Sequence, residues 1–264
     1  MRDPIVPPAF ELEGDADRGW VAWRRDVAPA LRGSGFGLDS DGAVKASGLE
    51  GRGAVVELES PELSRRGVRA VLRTHRRGGL PAKLGVARFG DPARPFDELL
   101  ASERLRERGI PTPAVLAARA RRASGERRRY DLAIVTERVE GASDLADALV
   151  AARGKERAAL LGGVGAFVAR LFDAGLVHVD LHAKNLLVRE GDAGPEFVVL
   201  DLDRCRVGDS VAPAKRYAIL ARFLRWFERR RERVPFSRSD ALRLLRGAVP
   251  AAEVGPAFRR LVRR

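Results

Sequence analysis

Two short segments carry side chains that could do chemistry together. Residues 178–185 read His-Val-Asp-Leu-His-Ala-Lys-Asn, and residues 200–203 read Leu-Asp-Leu-Asp. A carboxylate such as Asp180 can accept the proton of an attacking hydroxyl group. Amide and carboxylate oxygens such as those of Asn185 and Asp201 are ligands that Mg²⁺ binds, together with water and phosphate. The two segments therefore predict a phosphoryl-transfer site in which Mg²⁺ holds the phosphates of a nucleotide.

The first segment matches the catalytic-loop pattern of kinases, H-x-D-L-x-x-x-N, at all four fixed positions. From ordinary residue usage, such a match arises by accident in a chain of this length about once in a thousand cases. Chance is therefore a poor explanation for the match. It predicts Asp180 as the catalytic base and Asn185 and Asp201 as the catalytic metal ligands.

A β-hairpin is predicted between the two segments. Apolar runs at residues 186–188 and 197–200 flank a stretch rich in turn formers, residues 189–196. In an antiparallel hairpin, the residue that enters the first strand lies beside the residue that leaves the second. We therefore expect Asn185 and Asp201 to meet at one edge of the hairpin.

Two other interpretations of these residues remain open. Asp180, Asn185 and Asp201 could be ordinary turn and cap residues around a hairpin, although this leaves their spacing unexplained. His178 and His182 alternate with Asp180 and would share a face of an extended segment, as metal ligands can. The chain has only three histidines, and we expect His178 to pack and hydrogen-bond the loop rather than to bind a metal.

Composition fits a two-lobed enzyme with an anionic partner. The 264 residues are 45% hydrophobic, enough for one sizeable core or two smaller ones. The net charge is +13. Of the 49 basic residues, five are lysine and the other 44 are arginine. This charge favours nucleotides or an anionic membrane surface as partners. Few aromatic residues lie between the basic ones, so we do not expect a nucleic-acid partner.

The chain is expected to work in a reducing cytoplasm. Its single cysteine, Cys205, excludes an internal disulfide. The first residues lack the apolar segment of a signal peptide. The longest uncharged apolar stretch, residues 158–169, is too short to cross a bilayer.

A glycine-rich hairpin is predicted upstream, at residues 46–59. Glycines in its turn would let backbone N–H groups approach phosphate oxygens. We assign Gly51 and Gly53 to nucleotide binding on this basis; Gly48 lies in the same turn.

A third strand, at residues 67–74, should carry the cation that holds the α- and β-phosphates. Register favours Arg73 over the alternative, Lys83. A helix at residues 95–108 should supply the acidic partner of that cation. Glu98 is favoured because it lies one turn into the helix, and Glu103 is the alternative.

The remaining elements complete the predicted order of the chain. Strands are expected at residues 115–120 and 132–137, and the following segment, 136–141, would offer backbone groups of Glu137 and Val139 to adenine. Lys184, inside the catalytic loop, is also assigned to cofactor binding. Helices are expected at residues 15–31, 144–152 and 155–174 and from Tyr217 onward, whereas residues 1–14 are expected to be loosely ordered.

Taken together, these segments resemble the bacterial lipopolysaccharide kinase family. The resemblance spans residues 48–206 and rests on the glycine hairpin, on residues 71–79 and 96–113, and on the segments that begin at His178 and Leu200. The family includes the 3-deoxy-D-manno-octulosonic acid (Kdo) kinases and the core heptose kinases, and Arg-Arg-Gly-Gly at residues 76–79 is especially similar to the Kdo kinases.

The resemblance implies an α+β, two-lobed, protein-kinase-like fold. Residues 1–47 would be an N-terminal extension with one helix, residues 48–138 an antiparallel-sheet lobe, and residues 139–264 a mainly helical lobe. It also implies transfer of the ATP γ-phosphate to a hydroxyl of an inner-core sugar, with Mg²⁺, on the cytoplasmic face of the inner membrane. Arg204 would bind a carboxylate or phosphate of the acceptor, or form an ion pair with Asp201 or Asp203.

Other functions share part of this pattern. The same catalytic half occurs in aminoglycoside and choline-type phosphotransferases. A protein Ser/Thr kinase is less favoured, because Val179 replaces the arginine of regulated protein kinases and no Ala-Pro-Glu follows Asp201. A non-catalytic nucleotide-binding pseudokinase remains open because no lysine stands in the third strand. The pattern does not determine the acceptor hydroxyl or the oligomeric state.

Overall fold

The computed structural model describes residues 3–39, 55–58, 60–75, 89–125, 129–192 and 194–262. The chain divides into two compact units. The first comprises Met1–Glu103 and Pro113–Val139, and the second comprises Arg104–Thr112 and Glu140–Arg264. An antiparallel sheet dominates the first and helices dominate the second, so the predicted α+β class is confirmed.

The first unit is built on a six-stranded sheet in the order β1-β2-β5-β6-β4-β3, with every neighbouring pair antiparallel. Its strands are β1 (Phe10–Asp15), β2 (Gly19–Arg24), β3 (Val55–Leu58), β4 (Ala70–Thr74), β5 (Val115–Arg122) and β6 (Tyr130–Glu137). Within the described part of this unit, three helices accompany the sheet: α1 (Ala28–Arg32), α2 (Pro61–Arg65) and α3 (Arg94–Glu107), of which α3 belongs to this unit as far as Glu103.

The prediction for the N-terminal segment is wrong. Residues 15–31 do not form one helix but complete a β-hairpin and lead into the short α1. Trp20 and Ala22 pack into one buried cluster, and Val21 and Trp23 pack into another. Successive strand residues face opposite sides of a sheet, so both sides of β2 are buried and its sequence shows no alternation with polar residues. Trp20 and Trp23 are three residues apart, which is also the spacing of residues on one face of a helix, and this led to the wrong prediction.

Buried apolar clusters cover both faces of this sheet, and one of them fixes α3. Phe96 and Leu99 of α3 are fully buried in the cluster that also contains Trp20 and Ile134. Each such side chain contributes about 1.5–3 kcal/mol through its burial. Because Glu98 lies between these two anchors in sequence, the packing of α3 determines where its carboxylate points.

Two further differences from the predictions concern the length of the third predicted strand and a short helix before it. The third strand is shorter than predicted, because β4 begins only at Ala70. Before it, Ser60 caps the short helix α2 by accepting a hydrogen bond from the backbone N–H of Leu63 at 3.3 Å. This helix was not predicted, since its five residues are too few to show a periodic pattern.

In the described part of the second unit, helices are accompanied by two small sheets, with strand orders β10-β9-β7 and β11-β8. The strands are β7 (Ser143–Asp144), β8 (Leu176–Val177), β9 (Leu186–Gly191), β10 (Gly194–Val199) and β11 (Arg206–Val207). The helices are α4 (Leu145–Ala151), α5 (Gly154–Asp173), α6 (Pro213–Glu228), α7 (Arg238–Ala248) and α8 (Val254–Leu261), with 3₁₀ turns at Ala183–Asn185 and Ala251–Glu253.

Glycines allow α5 and α7 to pack closely. A Cβ atom on Gly165 would collide with the backbone oxygen of Leu244, and one on Gly247 would collide with the backbone oxygen of Gly162. The apolar, glycine-rich stretch at residues 158–169 is thus a helix–helix contact. Among the residues that the structure describes, no helix has both the length and the apolar character needed to span a bilayer.

The predicted hairpin and cap of the second unit are confirmed. β9 and β10 pair antiparallel from Leu186↔Val199 to Gly191↔Gly194, so the strands extend further into residues 189–196 than expected. Asp144 caps α4 by accepting a hydrogen bond from the backbone N–H of Asp147 at 2.9 Å.

Candidate active site

The catalytic loop of the second unit, residues 178–185, is held between two strand pairs. β8, which ends immediately before His178, pairs antiparallel with β11. β9, which begins immediately after Asn185, pairs antiparallel with β10. Because β10 and β11 flank the Leu-Asp-Leu-Asp segment, the two pairs bring both segments singled out in the sequence to the same place.

One buried imidazole joins the two segments directly. The side chain of His178 is 1% exposed. Its Nδ1 accepts a hydrogen bond from the backbone N–H of Asp180 at 3.2 Å, and its Nε2 lies 3.0 Å from the backbone oxygen of Leu200. An imidazole whose Nδ1 accepts must carry its proton on Nε2, so His178 is a neutral donor to Leu200. Both nitrogens are occupied, which leaves none for a metal.

The protonation of His178 should make the protein acid-labile. Burial lowers the pKa of His178 below its usual value of 6.5, despite the opposing hydrogen bond to Leu200. The unfolded chain therefore binds a proton at His178 before the folded protein does. Stability from this site is complete above about pH 6.5 and is lost as the pH falls through that value toward the lower folded pKa.

We expect the melting temperature to fall with acidification below about pH 6.5, by about 2–4 °C for each kcal/mol lost. His178→Gln should give a lower melting temperature at neutral pH but a shallower dependence on pH, measured by circular dichroism over the same buffers. An unchanged pH dependence in this variant would show that other groups cause the acid lability.

Asn185 connects the loop to the hairpin. Its side-chain Nδ2 donates a hydrogen bond to the backbone oxygen of Asp180 at 2.9 Å, and its backbone oxygen accepts one from the N–H of Leu200 at 2.9 Å. The first bond fixes the amide plane and leaves Oδ1 as the side chain's ligand atom. The second places Asn185 beside Leu200, the residue before Asp201, and the predicted meeting of Asn185 with Asp201 itself stays a prediction.

Asp201 occupies a strained backbone position. Its φ is 55°, in the left-handed region that few residues other than glycine adopt. Such conformations cost about 1–3 kcal/mol and concentrate at functional sites. The side chain is exposed, so it is accessible to a ligand. The backbone of Arg204 is also in the left-handed region, with φ 57°.

The side chains in this part of the second unit fit a hard divalent cation. Asn185 and Asp201 would contribute only amide and carboxylate oxygens, the ligand atoms that Mg²⁺ prefers. Asp180 is 67% exposed and is therefore accessible to a hydroxyl group. The donor atoms and the exposure of these side chains are therefore compatible with a metal–phosphate complex and a proton acceptor in this unit.

Helix α6 contributes two contacts that the sequence did not reveal. Arg222 donates through Nη1 to the backbone oxygens of Val179 and, at 3.4 Å, of His178. The indole of Trp226 stacks on the imidazole of His182, with centroids 5.7 Å apart and planes 21° apart. The only signal in the sequence is that both residues flank the apolar stripe of α6 with helical spacing; nothing there connects them to the loop.

In the first unit, the predicted cation contacts the favoured carboxylate. Arg73 on β4 forms an ion pair with Glu98 on α3, whose side chain is 6% exposed. His75 approaches the same carboxylate, with Nε2 3.3 Å from Oε2. Glu103 instead forms an ion pair with Arg24 on β2. The structure therefore pairs Arg73 with Glu98 rather than with Glu103.

The nucleotide-binding roles of the other residues assigned to the cofactor stay predictions. Gly51, Gly53 and the alternative cation Lys83 lie outside the described residues. Glu137 ends β6, with its N–H bonded to the oxygen of Ala114 at 2.8 Å, and Val139 is the last residue of the first unit.

Two basic residues near the catalytic loop have acidic neighbours. Lys184 forms an ion pair with the helix cap Asp144, with Nζ 2.9 Å from Oδ2. Arg204 is 71% exposed and lies 3.8 Å from the carboxylate of Asp203. This is one of the two arrangements foreseen for Arg204, whereas a cofactor-binding role for Lys184 stays a prediction.

Comparison with known proteins determines the family. The sequence profile of the Lipopolysaccharide kinase (Kdo/WaaP) family matches residues 50–247, which are 198 of the 264 residues. The chain belongs to this family. It is 33% identical over 204 residues to a 3-deoxy-D-manno-octulosonic acid kinase of Actinobacillus succinogenes, an alignment that covers 75% of this chain and 82% of that protein.

Solved structures confirm the kinase-like fold. WaaP, in a complex with acyl carrier protein, superposes with a TM-score of 0.53 at 21% identity and covers 83% of this chain and 89% of its own. Rio2 kinase from Chaetomium thermophilum superposes with a TM-score of 0.50 at 18% identity and covers 96% of this chain and 76% of its own. These likenesses concern the fold alone.

Family membership confirms the predicted enzyme class. The protein is a kinase that transfers phosphate from ATP to a hydroxyl group of a lipopolysaccharide sugar. The predicted family is confirmed at the same time.

Proposed function

We propose that the acceptor of this kinase is a Kdo residue of the lipopolysaccharide inner core rather than a heptose. The identity to a protein named as a Kdo kinase, over three quarters of this chain, supports this choice of sugar. The observation that carries the chemistry is the bond between the amide of Asn185 and the backbone of Asp180, which ties the proposed metal ligand to the proposed base.

In the proposed mechanism, Asp180 acts as general base. Its exposed carboxylate accepts the proton of the acceptor hydroxyl as the sugar oxygen forms a bond to the γ-phosphorus and the bond to the ADP oxygen breaks. His178 and Arg222 both bond to the peptide group between Val179 and Asp180, which directly precedes this carboxylate. Their role is positioning, since neither side chain needs to touch the reacting atoms.

Asn185 and Asp201 would hold Mg²⁺, which supplies positive charge to neutralise the phosphate oxygens. In the first unit, Arg73 would bind the α- and β-phosphates of ATP, and Glu98 would fix the orientation of its guanidinium. An arginine can serve here because its planar fork can contact a carboxylate and a phosphate together. Nucleotide roles for Gly51, Gly53, Glu137, Val139 and Lys184 belong to the same proposal.

The direct test is incubation of the protein with ATP, Mg²⁺ and a Kdo-containing lipid acceptor, with mass spectrometry of the acceptor. We expect a mass gain of one phosphate on Kdo that requires ATP and forms at least about a hundredfold more slowly with Asp180→Asn. A heptose-containing acceptor lacking Kdo should gain no mass. Phosphorylation of the heptose acceptor alone would overturn the choice of sugar while leaving the kinase chemistry intact.

Contact with an anionic membrane belongs to this proposal and rests on charge. A net charge of +13 favours binding to anionic lipid headgroups, weakened as salt screens the attraction. We expect the protein to float with vesicles containing anionic lipid at low salt and to separate from them at high salt. Equal flotation with uncharged vesicles would show that charge does not drive the contact.

A further inference from the structure

One cation beside the catalytic loop has no counter-charge among the residues that the structure describes. Arg230 follows the end of α6, where its backbone N–H bonds to the oxygen of Phe227 at 2.9 Å. Its guanidinium makes no hydrogen bond or ion pair within the described ranges, although the residue is half-buried. Partial burial of a charge costs free energy when nothing compensates it, so an anionic partner would stabilise this position.

Arg230 is held in a defined place by an aromatic ring. Its Cζ atom lies 4.6 Å from the centroid of the Trp226 ring, a cation–π contact that also restricts the guanidinium plane. Trp226 stacks in turn on His182. The guanidinium is therefore presented on a fixed surface, as a preformed binding group would be.

The same contacts lead from Arg230 to the catalytic base. The Nε2 atom of His182 lies 3.6 Å from Oδ2 of Asp180. Burial first, and the positive charge of Arg230 as well, lower the pKa of His182, whereas the carboxylates of Asp180 and Asp201 act in the opposite direction. Arg230 therefore lies close enough to this part of the loop for its charge to be felt there.

We propose that Arg230 binds the acidic group of the acceptor sugar, a carboxylate or a phosphate, and thereby places the acceptor hydroxyl at Asp180. This inference rests on the proposed function and deepens it by assigning a residue that recognises the acceptor. An arginine fork suits either anion because it can donate two parallel hydrogen bonds to a pair of oxygens. Arg204, which is mostly exposed and lies near Asp203, is the competing cation.

The test is steady-state kinetics on Arg230→Met, which keeps the length of the apolar stem against Trp226 but removes the charge. With a Kdo-containing acceptor, we expect the acceptor KM to rise about ten- to a hundredfold, the range for losing a charged hydrogen bond. The KM for ATP should change by less than about twofold. Arg230→Lys should recover part of the loss, because it restores charge without the fork.

Arg229→Met is the matched control. Arg229 is the preceding residue, it is exposed, and its backbone N–H bonds to the oxygens of Arg225 and Phe227 at the end of α6. This variant should behave as the parent protein does. If Arg230→Met also kept the parental acceptor KM, or if only Arg204→Met raised it, the proposal for Arg230 would be overturned.

Different acceptors distinguish the sugar carboxylate from a phosphate as the anion that Arg230 binds. A Kdo glycoside without phosphate should show the full dependence on Arg230 if the carboxylate is bound, and its methyl ester should show none. Dependence seen only with a phosphorylated lipid acceptor would assign the phosphate instead; both results support an anionic contact. If the parent protein phosphorylates no Kdo acceptor, the proposed function fails with this inference. If it does but is insensitive to Arg230, only the inference fails.

Discussion

Asp180→Asn is expected to lower kcat at least about a hundredfold, the lower range for loss of a general base. The fold should survive, because Asn185 and His178 bond to the backbone of Asp180 and not to its carboxylate. ATP should still bind, since the proposed metal ligands and Arg73 are unchanged. The measurements are single-turnover phosphorylation of the acceptor and ATP binding by calorimetry.

A matched carboxylate provides the control for this experiment. Asp192 lies exposed in the turn of the β9–β10 hairpin, and Asp192→Asn removes the same charge from the same unit. It should retain parental turnover. Equal turnover in Asp180→Asn and the parent would remove Asp180 from the mechanism, and loss of ATP binding in Asp180→Asn would show that its role is not confined to proton transfer.

Arg73→Met is expected to impair both stability and nucleotide use. Removal of one partner leaves the buried carboxylate of Glu98 less well compensated, which we expect to cost about 2–3 kcal/mol, below the usual 3–5 kcal/mol because His75 stays beside Glu98. The KM for ATP should rise and phosphoryl transfer should slow. Urea unfolding and steady-state kinetics with varied ATP measure the two effects.

The double variant Arg73→Met with Glu98→Met separates these effects. Apolar residues can replace both members of a buried ion pair with little loss of stability, so the double variant should regain most of the unfolding free energy. Catalysis should not recover, because the cation proposed to bind the α- and β-phosphates is then absent. If the unfolding free energy and catalysis both recovered, Arg73 would affect catalysis only by stabilising the fold.

The neighbouring ion pair of α3 offers a control for the same helix. Arg24→Met removes the arginine that forms an ion pair with Glu103, in a pair of similar burial, and should lower stability without changing the KM for ATP. If Arg73→Met behaves as Arg24→Met does, whereas Lys83→Met raises the KM for ATP, the register that assigns the phosphate-binding role to Arg73 is wrong.

Elements whose signals are local could be predicted well. The β9–β10 hairpin follows from two apolar runs separated by turn formers, and the capped start of α4 follows from Asp144. The N-terminal hairpin could not be predicted in the same way. β2 is buried on both sides because α1 and α3 belong to clusters that cover opposite faces of the sheet, and no local pattern reveals such covering.

The sequence by itself determined the enzyme class: the spacing of Asp180, Asn185 and Asp201 around one hairpin matches the catalytic pattern of kinases, and a hairpin forms through short-range pairing. The roles of these three residues belong to the proposed mechanism. Only the tertiary structure decided which carboxylate pairs with Arg73 and which side chains of α6 contact the catalytic loop. Those contacts join residues 25 to 44 positions apart. They depend on how helices pack against strands and loops, which residue spacing along the chain does not encode.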